Sequence, residues 1–492
     1  MNTAIIQYIL GYILKLEAGF LLLPCLTALF YHEKEGFSYL AVSAICLVIG
    51  HLMSHKKPEN NIFYLKEGCV ATSLSWIFLS FFGALPFVFT KEIPSIVDAL
   101  FETVSGFTTT GASILNNVEA LSYTSLIWRS FTHWIGGMGV LVFLLAIIPM
   151  SGGSHINLMR AESPGPSVGK LVPKMRHTAR ILYLIYFGMT ILQIVLLLAG
   201  GMSVFDSLCT SFGTAGTGGF GIKNDSMMSY SPYIQWIVTI FMILFGVNFN
   251  AYYFILLKKG KKALEMEEVK WYFIIIGTAS LIIFTDLVKT SYTVFESITH
   301  SVFQVGSIIT TTGFSTADFN QWSLTSRTTL VLLMFVGACA GSTGGGIKVS
   351  RLIVLCKTIL KEINSYIHPK SIVNIKMDEK PVEHEVVRSI NVYFITFMAI
   401  FTISIFAVSF NQKDLVTNFT AVIATLNNIG PGLEMVGPAA NFGHFNNFSK
   451  LVLTFDMLAG RLELFPLLIL FHPEIWKEGF SKRKQRKIKE LS

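Results

Sequence analysis

Residues 95–113 read SIVDALFETVSGFTTTGAS, and residues 294–316 read VFESITHSVFQVGSIITTTGFST. Aligned without gaps, the two segments share the motif Thr-Thr-Thr-Gly at 108–111 and at 310–313. In each, a short apolar stretch of helical character precedes the motif. It is far shorter than the roughly 20 residues that a helix needs to span a bilayer core. The pattern therefore predicts a half-length helix that enters a membrane and stops, followed by a turn of irregular backbone.

Two further segments have the same plan with weaker motifs. They are residues 203–221 (SVFDSLCTSFGTAGTGGFG) and residues 414–432 (DLVTNFTAVIATLNNIGPG). The glycines that this alignment makes equivalent are Gly111, Gly218, Gly313 and Gly430. They recur at intervals of roughly 100 residues, which indicates an internal repeat on the scale of a subdomain. A single segment of this kind would be read as an ordinary outer loop, and the fourth is recognised mainly by its position.

Long apolar stretches surround these segments. The chain is 52% hydrophobic and 14% charged, with a mean hydropathy of +0.58, whereas soluble domains carry about a quarter of their residues as charges. The stretches that approach or exceed a bilayer span are Ile5–Phe30, Phe37–Ser54, Gly68–Phe89, Trp128–Met150, Ile181–Leu198, Ile234–Leu257, Trp271–Leu287, Asn391–Phe410, Leu451–Phe471 and the one that begins at Arg327. We expect an all-α polytopic membrane protein.

The net charge of +8 is distributed unevenly along the chain. Most of the 38 lysine and arginine residues fall in alternate connections between the predicted spans and in the basic tail at 477–489. Loops rich in lysine and arginine face the cytoplasm, so we expect both termini to be cytoplasmic. The same distribution argues against a nucleic-acid-binding protein.

The spans and short segments divide the chain into six predicted parts. Residues 1–60 hold two N-terminal transmembrane helices, 61–165 repeat 1 with its pore loop, 166–262 repeat 2 with its pore loop, 263–385 repeat 3 with a broken second helix and a cytoplasmic stretch, 386–476 repeat 4, and 477–492 a basic cytoplasmic tail. We therefore expect four pseudo-symmetric helix–pore-loop–helix repeats around one pore.

Four half-length helices that converge on one axis are suited to holding a cation. The C-terminal end of a helix carries about half a negative elementary charge, and backbone carbonyls can replace the water around an ion. Glycine permits the backbone angles that such turns require, and Thr110, Thr217 and Thr312 add hydroxyl oxygens. We predict a pore for a monovalent cation. The acidic residues upstream either attract cations to the outer mouth or cap the half-helices: Asp98, Glu102, Asp206, Glu296 and Asp414.

Residues 337–348 (GACAGSTGGGIK) interrupt the second span of the third repeat with five glycines. The apolar segment from Arg327 to Gly337 makes about 15 Å of helix, half of a bilayer core. Because glycine disfavours helix, we predict a break at mid-membrane, with a plain helix kink as the alternative.

Arg461 lies within the predicted span Leu451–Phe471, where a charge at the bilayer centre costs roughly 2.5–3.5 kcal/mol or more. It must therefore face water or the protein interior. We favour a pore-lining arginine that repels cations below the turns, over an ion pair with Glu463 or Asp456.

The motifs TTTGAS, GTAGTGGFG, TTTGFS and NNIGPG, within four span–loop–span units, resemble the Trk/Ktr/HKT superfamily of potassium transporters. The two extra N-terminal spans and residues 162–186 resemble its TrkH/TrkG branch of pore-forming subunits. The resemblance implies a potassium selectivity filter made by Thr109, Thr110, Gly111, Thr217, Gly218, Thr311, Thr312, Gly313, Asn428, Ile429 and Gly430. Glycine rather than serine at Gly111 favours potassium over sodium within that family.

The resemblance also implies a gate beneath the filter, in which an intramembrane loop moves. Its residues would be Gly341, Gly344, Gly345, Gly346, Lys348 and Arg461. The family further implies potassium uptake across the bacterial cytoplasmic (inner) membrane, with K⁺ as the transported ion. We expect no enzyme activity, no catalytic residue, no transition metal and no cofactor bound by this chain.

Members of that family form homodimers in the lipid membrane and dock on a cytosolic ring of nucleotide-binding, TrkA-like subunits that senses NADH or ATP. A sodium-permeable pore and symport coupled to H⁺ or Na⁺ stay open as alternatives. A membrane-embedded enzyme is disfavoured because no recurring set of His, Asp and Ser residues is found. A carrier with inverted repeats is disfavoured because all four repeats run in the same direction.

Overall fold

The computed structural model describes residues 1–58, 64–139, 175–371 and 373–475. Within these ranges the regular structure is almost entirely helical. The α-helices are α1 (Thr3–Phe20), α2 (Leu22–Tyr31), α3 (Gly36–Ser54), α4 (Leu65–Phe89), α5 (Ile96–Phe107), α6 (Tyr123–Gly137), α7 (Met175–Ala199), α8 (Val204–Ala215), α9 (Pro232–Phe245), α10 (Phe249–Leu256), α11 (Gly260–Glu265), α12 (Glu267–Leu287), α13 (Val294–Ile309), α14 (Leu324–Val336), α15 (Val349–Ile367), α16 (His384–Ser409), α17 (Leu415–Leu426), α18 (Asn447–Arg461) and α19 (Phe465–Leu468). Strands β1 (Lys376–Met377) and β2 (Lys380–Pro381) form one small antiparallel hairpin.

Six helical segments in the described ranges are long and apolar enough to cross a membrane. They are Thr3–Tyr31, Gly36–Ser54, Leu65–Phe89, Arg180–Ala199, Glu267–Leu287 and His384–Ser409. Their outward faces carry leucine, isoleucine and phenylalanine side chains that are exposed in the isolated chain, as expected of surfaces that contact lipid. The predicted all-helical polytopic membrane fold is confirmed.

The predicted half-length helices are present as α5, α8, α13 and α17, each of 12 to 16 residues. Each begins at a residue whose side-chain oxygen accepts a hydrogen bond from the backbone in the first turn, which satisfies an otherwise unpaired N–H. These capping residues are Ser95, Ser203, Thr293 and Asp414. Local sequence therefore fixes where each half-helix begins.

The predicted continuous span Ile234–Leu257 is wrong. Helices α9 and α10 meet at an angle of 91° across residues 246–248. The carbonyl oxygen of Gly246 accepts a hydrogen bond from the distant Cys339 N–H at 3.1 Å, and the Asn248 side chain caps the start of α10. The Gly246 carbonyl therefore bonds outside the helix, where α9 ends, and the Asn248 side chain satisfies an N–H group at the start of α10.

The predicted span Leu451–Phe471 is also wrong as one helix. Helix α18 ends at Arg461, and Glu463 and Leu464 have φ angles of 54° and 70° before the short α19 begins. Pro466 lies in the first turn of α19. Proline lacks the N–H that a helix continuing from α18 would need at this position, and its ring would clash with the carbonyl four residues earlier. Arg461 consequently lies at a helix end rather than in the middle of a span.

The break predicted in the third repeat is confirmed, because α14 ends at Val336 and α15 begins only at Val349. Other predictions concern residues outside the described ranges. They are the part of span Trp128–Met150 after residue 139, residues 162–174 and the basic tail 477–492.

Candidate functional site

Four loops follow the half-helices and share one backbone conformation. We define them as loop 1 (residues 108–113), loop 2 (216–221), loop 3 (310–315) and loop 4 (427–432). The second residue of each loop has a positive φ: Thr109 (56°), Thr217 (53°), Thr311 (60°) and Asn428 (55°). The fourth residue is a glycine with a positive φ: Gly111 (78°), Gly219 (77°), Gly313 (88°) and Gly430 (97°). Residues with side chains rarely adopt such angles, so their recurrence defines the repeat.

Hydrogen bonds give the same alignment. The third residue of each loop donates its N–H to a carbonyl in the last turn of the preceding half-helix: Thr110 to Ser105 (2.9 Å), Gly218 to Gly213 (2.8 Å), Thr312 to Ser307 (2.8 Å) and Ile429 to Ala424 (2.8 Å). Gly218 is therefore equivalent to Thr110 and Thr312. The predicted equivalence of Gly218 with Gly111 is wrong by one residue, and Gly219 takes that position. The sequence motif Thr-Gly aligns Gly218, the first of two adjacent glycines, with Gly111. The backbone angles and hydrogen bonds instead make the second, Gly219, equivalent to Gly111.

The loops contact one another in cyclic order. A methyl group added at Gly111 would collide with the carbonyl oxygen of Gly218, and one at Gly219 with that of Thr312. The same close approach joins Gly313 to the carbonyl of Ile429 and Gly430 to that of Thr110, the latter at 2.8 Å from the added carbon. In every case the glycine of one loop meets the carbonyl of the residue before the glycine in the next loop. The four loops close into a ring.

A cavity of about 180 Å³ is lined by residues of this ring and by the segments that follow the loops. The glycines that line it are Gly111, Gly219, Gly221, Gly313, Gly430 and Gly437. Each loop directly follows the C-terminal end of a half-helix, which carries a partial negative charge. The ring therefore combines converging helix dipoles with oxygen-bearing backbone, an environment that favours a cation.

Threonine side chains brace loops 1 and 3 in the same way. The hydroxyl groups of Thr108 and Thr110 are 2.8 Å apart, and those of Thr310 and Thr312 are 2.7 Å apart. In loop 4, Asn428 donates a hydrogen bond from Nδ2 to the Thr110 hydroxyl at 2.9 Å. Because all of these side chains are buried, these bonds fix the shape of the loops.

A buried ion pair supports the C-terminal ends of loops 1 and 2. Arg129 on α6 and Glu102 on α5 are 3% and 1% exposed, with an Nη2–Oε1 distance of 2.7 Å. Glu102 also accepts hydrogen bonds from the Ser113 hydroxyl and the Ile114 N–H. Arg129 donates to the Gly221 carbonyl at 3.3 Å. The pair thus connects the C-terminal ends of two neighbouring loops.

Glu102 is therefore neither a cap nor a free carboxylate at the mouth. Capping is observed for Glu296 and Asp414. The Glu296 carboxylate accepts the N–H of Thr293, the residue before α13, and the Asp414 carboxylate accepts the N–H of Thr417 in the first turn of α17. Asp98 pairs with Lys450 at 2.6 Å, and Asp206 accepts a hydrogen bond from Tyr230 at 3.2 Å. The acidic side chains serve structural contacts in this state.

The glycine loop, residues 337–348, contacts the ring. Gly345 donates its N–H to the Thr311 hydroxyl of loop 3 at 2.6 Å. A methyl group at Gly345 would lie 2.5 Å from the Asn427 carbonyl oxygen of loop 4. Lys348 donates from Nζ to the carbonyl of Gly344 within the same loop. The predicted gate residues 344, 345 and 348 thus lie together, close to the ring.

Arg461 reaches this loop from the end of α18. Its Nη1 donates to the Thr343 carbonyl at 3.0 Å, and its Nη2 donates to the carbonyls of Gly136 and Gly137 at the end of α6. Neither predicted ion-pair partner forms a salt bridge with it in the described ranges: Glu463 pairs with Arg351, and the Asp456 carboxylate accepts from Ser404. One arginine therefore joins three segments that are distant in sequence.

Glu268 on α12 is a contact residue that sequence reasoning missed. Its carboxylate is 4% exposed and accepts hydrogen bonds from the N–H of Ala340 (2.6 Å), the N–H of Ser350 (3.1 Å) and Asn248 Nδ2 (3.2 Å). These partners lie inside the glycine loop, just after it, and at the break between α9 and α10. The sequence feature that could have indicated this role is the position of the carboxylate, just before the apolar span Trp271–Leu287.

Comparison with known proteins places this architecture in a family. Residues 35–478 match the TrkH family, described as a cation transport protein. The chain is 35% identical over 488 residues to the Trk system potassium uptake protein TrkH of Salmonella typhimurium, covering 97% of this chain and 100% of the relative. It is 31% identical over 486 residues to the Trk system potassium uptake protein TrkG of Escherichia coli, with the same coverage.

A solved structure agrees with the sequence comparison. The crystal structure of the potassium transporter TrkH from Vibrio parahaemolyticus superposes with a TM-score of 0.87 at 32% identity, covering 97% of this chain and 100% of that one. This chain belongs to the TrkH family of cation transport proteins.

Proposed function

We propose that this protein takes up potassium through the ring of four loops, which acts as a selectivity filter. The observation that carries the proposal is the cyclic contact between each glycine and the carbonyl of the next loop. Such a ring holds backbone oxygens at fixed separations, as a filter that replaces an ion's hydration shell requires. The full-length relatives named as potassium uptake proteins support K⁺ as the cargo.

The filter residues are the second, third and fourth positions of each loop. They are Thr109, Thr110, Gly111, Thr217, Gly218, Gly219, Thr311, Thr312, Gly313, Asn428, Ile429 and Gly430. Side chains with ionisable groups are absent from this set, so the oxygens offered to the ion are carbonyls and hydroxyls. These neutral oxygens suit a monovalent cation that must bind and leave again.

The glycine loop and Arg461 form the gate of this proposed pore. Residues 341, 344, 345, 346 and 348 would move away from loops 3 and 4 when the pore opens. Arg461 holds the loop by its bond to the Thr343 carbonyl, and its positive charge opposes cations that leave the filter. Opening therefore requires that the hydrogen bonds of Arg461 be exchanged for others.

Family membership and the distribution of basic residues support a proposal for the cellular setting. We propose a homodimer in the bacterial cytoplasmic membrane, with both termini inside and regulation by a cytosolic nucleotide-binding ring. The proposed domains are the two N-terminal helices (1–60), four repeats (61–165, 166–262, 263–385 and 386–476) and the basic tail (477–492). Basic residues on the inner connections would contact anionic lipid and the regulatory ring.

Uptake of ⁸⁶Rb⁺ by a bacterium that lacks its own potassium uptake systems tests the transport proposal. Cells that express the chain with a cognate regulatory subunit should accumulate ⁸⁶Rb⁺, and excess K⁺ should compete far better than Na⁺. No uptake despite normal membrane insertion would contradict the proposal. Equal competition by Na⁺ would identify a sodium-permeable pore, and uptake that collapses with the H⁺ or Na⁺ gradient at constant membrane potential would identify symport.

A further inference from the structure

His133 on α6 differs from its counterparts in the other repeats. We call α6, α9, α14 and α18 the wall helices, because each follows one loop of the ring. Each begins after a capping residue: Ser122, Ser231, Ser323 and Asn446. The residues eleven positions after these caps are His133, Met242, Met334 and Met457, and all four side chains are fully buried. Three wall helices carry methionine where the first carries histidine.

The loop that His133 contacts is also exceptional. Loops 1 and 3 have threonine at their first and third positions, with paired hydroxyl groups. Loop 2 has Gly216 and Gly218 at these positions. A methyl group added at Gly218 would overlap the imidazole ring of His133, and one added at Gly216 would collide with the His133 carbonyl oxygen. The histidine ring thus fills the space beside loop 2 that a side chain at residue 218 would enter.

The imidazole ring of His133 makes packing contacts rather than hydrogen bonds. In the described part of the chain, neither ring nitrogen of His133 has a hydrogen-bond partner. The ring packs against Phe220 of loop 2, with centroids 4.3 Å apart. One turn earlier on the same face of α6, Arg129 lies 4.0 Å from the Phe220 ring and bonds to the Gly221 carbonyl. The face of α6 therefore supports loop 2 from its first residue to its last.

We propose that His133 is the positioning residue of loop 2, replacing the threonine side chains that hold loops 1 and 3. His133 and Gly218 form a matched pair, in which the absent side chain of one makes room for the ring of the other. This inference rests on the proposed function where it concerns ion selectivity, because the carbonyl of Gly218 belongs to the ring of four loops. It makes His133 a determinant of how well the filter separates potassium from sodium.

Reciprocal substitution tests the pair. His133→Ala leaves a cavity behind loop 2. Gly218→Thr places a side chain where the His133 imidazole ring lies. Each variant should lower the Rb⁺/Na⁺ permeability ratio about tenfold. In His133→Ala/Gly218→Thr, the threonine occupies the vacated space, and the ratio should return to within about threefold of the wild type. His133→Met, which installs the residue of the other wall helices, should also stay within about threefold.

Ile127→Ala is the matched control. Ile127 is a buried residue of α6 that packs in a separate cluster with Phe205 and Cys209. Its truncation should lower the thermal unfolding midpoint of the purified protein and leave the permeability ratio unchanged. A ratio for His133→Ala within twofold of the wild type, or a double variant no better than the worse single one, would overturn the proposal.

The unfolding midpoints of the same variants, measured in detergent with choline chloride, separate the two proposals. Coupling between residues 133 and 218 should appear in these midpoints without any permeant ion. The double variant should unfold at a higher temperature than the sum of the two single-variant changes predicts. A wild-type protein without Rb⁺ uptake but with this coupling would refute transport and retain the matched pair. Uptake by the wild type with additive midpoints and ratios would refute the pair and retain transport.

Discussion

Arg461 donates a hydrogen bond to the carbonyl oxygen of Thr343 over 3.0 Å, across 118 residues of sequence. Thr343 in turn donates from its hydroxyl to the Phe245 carbonyl at the end of α9, at 3.2 Å. The end of the fourth wall helix is thus connected through the glycine loop to the end of the second. This connection would hold the proposed gate in the observed position.

Arg461→Ala should raise ⁸⁶Rb⁺ flux. The substitution removes hydrogen bonds of a charged donor, worth about 1.5–3 kcal/mol each, and a roughly tenfold shift toward the open state corresponds to 1.4 kcal/mol. Single-channel or flux recordings at fixed regulator concentration measure this shift. Arg461→Lys keeps the charge but cannot reach three carbonyls at once, so it should show an intermediate flux. A lower flux for Arg461→Ala at normal expression would contradict the gate role.

Gly345→Ala should deregulate the pore. The added methyl group would lie 2.5 Å from the Asn427 carbonyl oxygen, so the glycine loop must move away from loop 4. We expect higher flux without the regulatory subunit, by about threefold or more if the displacement is worth about 0.7 kcal/mol. Gly277→Ala on α12, where the methyl group meets no atom within 4 Å, is the control. Unchanged currents in Gly345→Ala would exclude the loop as the gate.

Glu268→Ala should both destabilise the protein and release the glycine loop. It leaves two buried N–H groups and one amide without their acceptor, each worth about 1–3 kcal/mol. The unfolding midpoint should fall and the flux should rise together. Glu267→Ala removes the neighbouring, more exposed carboxylate that pairs with Lys357 and should change either quantity little. Equal effects at the two positions would show that Glu268 has no special role.

Gly219→Ala should reduce selectivity as strongly as Gly111→Ala. Both glycines have a positive φ and meet the carbonyl of the next loop, and the left-handed backbone alone costs a residue with a side chain about 1–2 kcal/mol. We expect the Rb⁺/Na⁺ permeability ratio to fall about tenfold in each. Gly188→Ala on α7, with open space around the added carbon, should match the wild type. A wild-type ratio in Gly219→Ala would contradict the position assigned to this residue.

Glu102→Gln should destabilise the fold by about 3–5 kcal/mol, because it leaves the buried Arg129 without its counter-charge. Thermal unfolding in detergent measures the loss. The exposed pair Arg327–Glu434, at 3.0 Å, provides the comparison, since Arg327→Ala should cost less than about 1 kcal/mol. Similar losses for both variants would mean that burial of the Arg129–Glu102 pair does not matter.

Sequence patterns located the features that depend on neighbouring residues. The half-helices begin at side chains that cap their own first turn, such as Ser95 and Asp414. The break after Val336 follows from glycines that cannot sustain a helix. Hydropathy failed at α9 and α18, where apolar sequence continues through a break. There, bonds made by Gly246 to a distant segment and the proline after α18 end the helices.

The sequence by itself determined a polytopic helical protein with four capped half-helices, each followed by a glycine turn, because hydropathy, capping and glycine's backbone freedom act over a few residues. The tertiary structure alone decided that Gly219 rather than Gly218 completes the ring, that Glu268 binds the glycine loop, and that His133 lies against Gly218. These relationships join segments tens to hundreds of residues apart. Which carbonyl, ring or carboxylate occupies a given space is settled only when the repeats pack together.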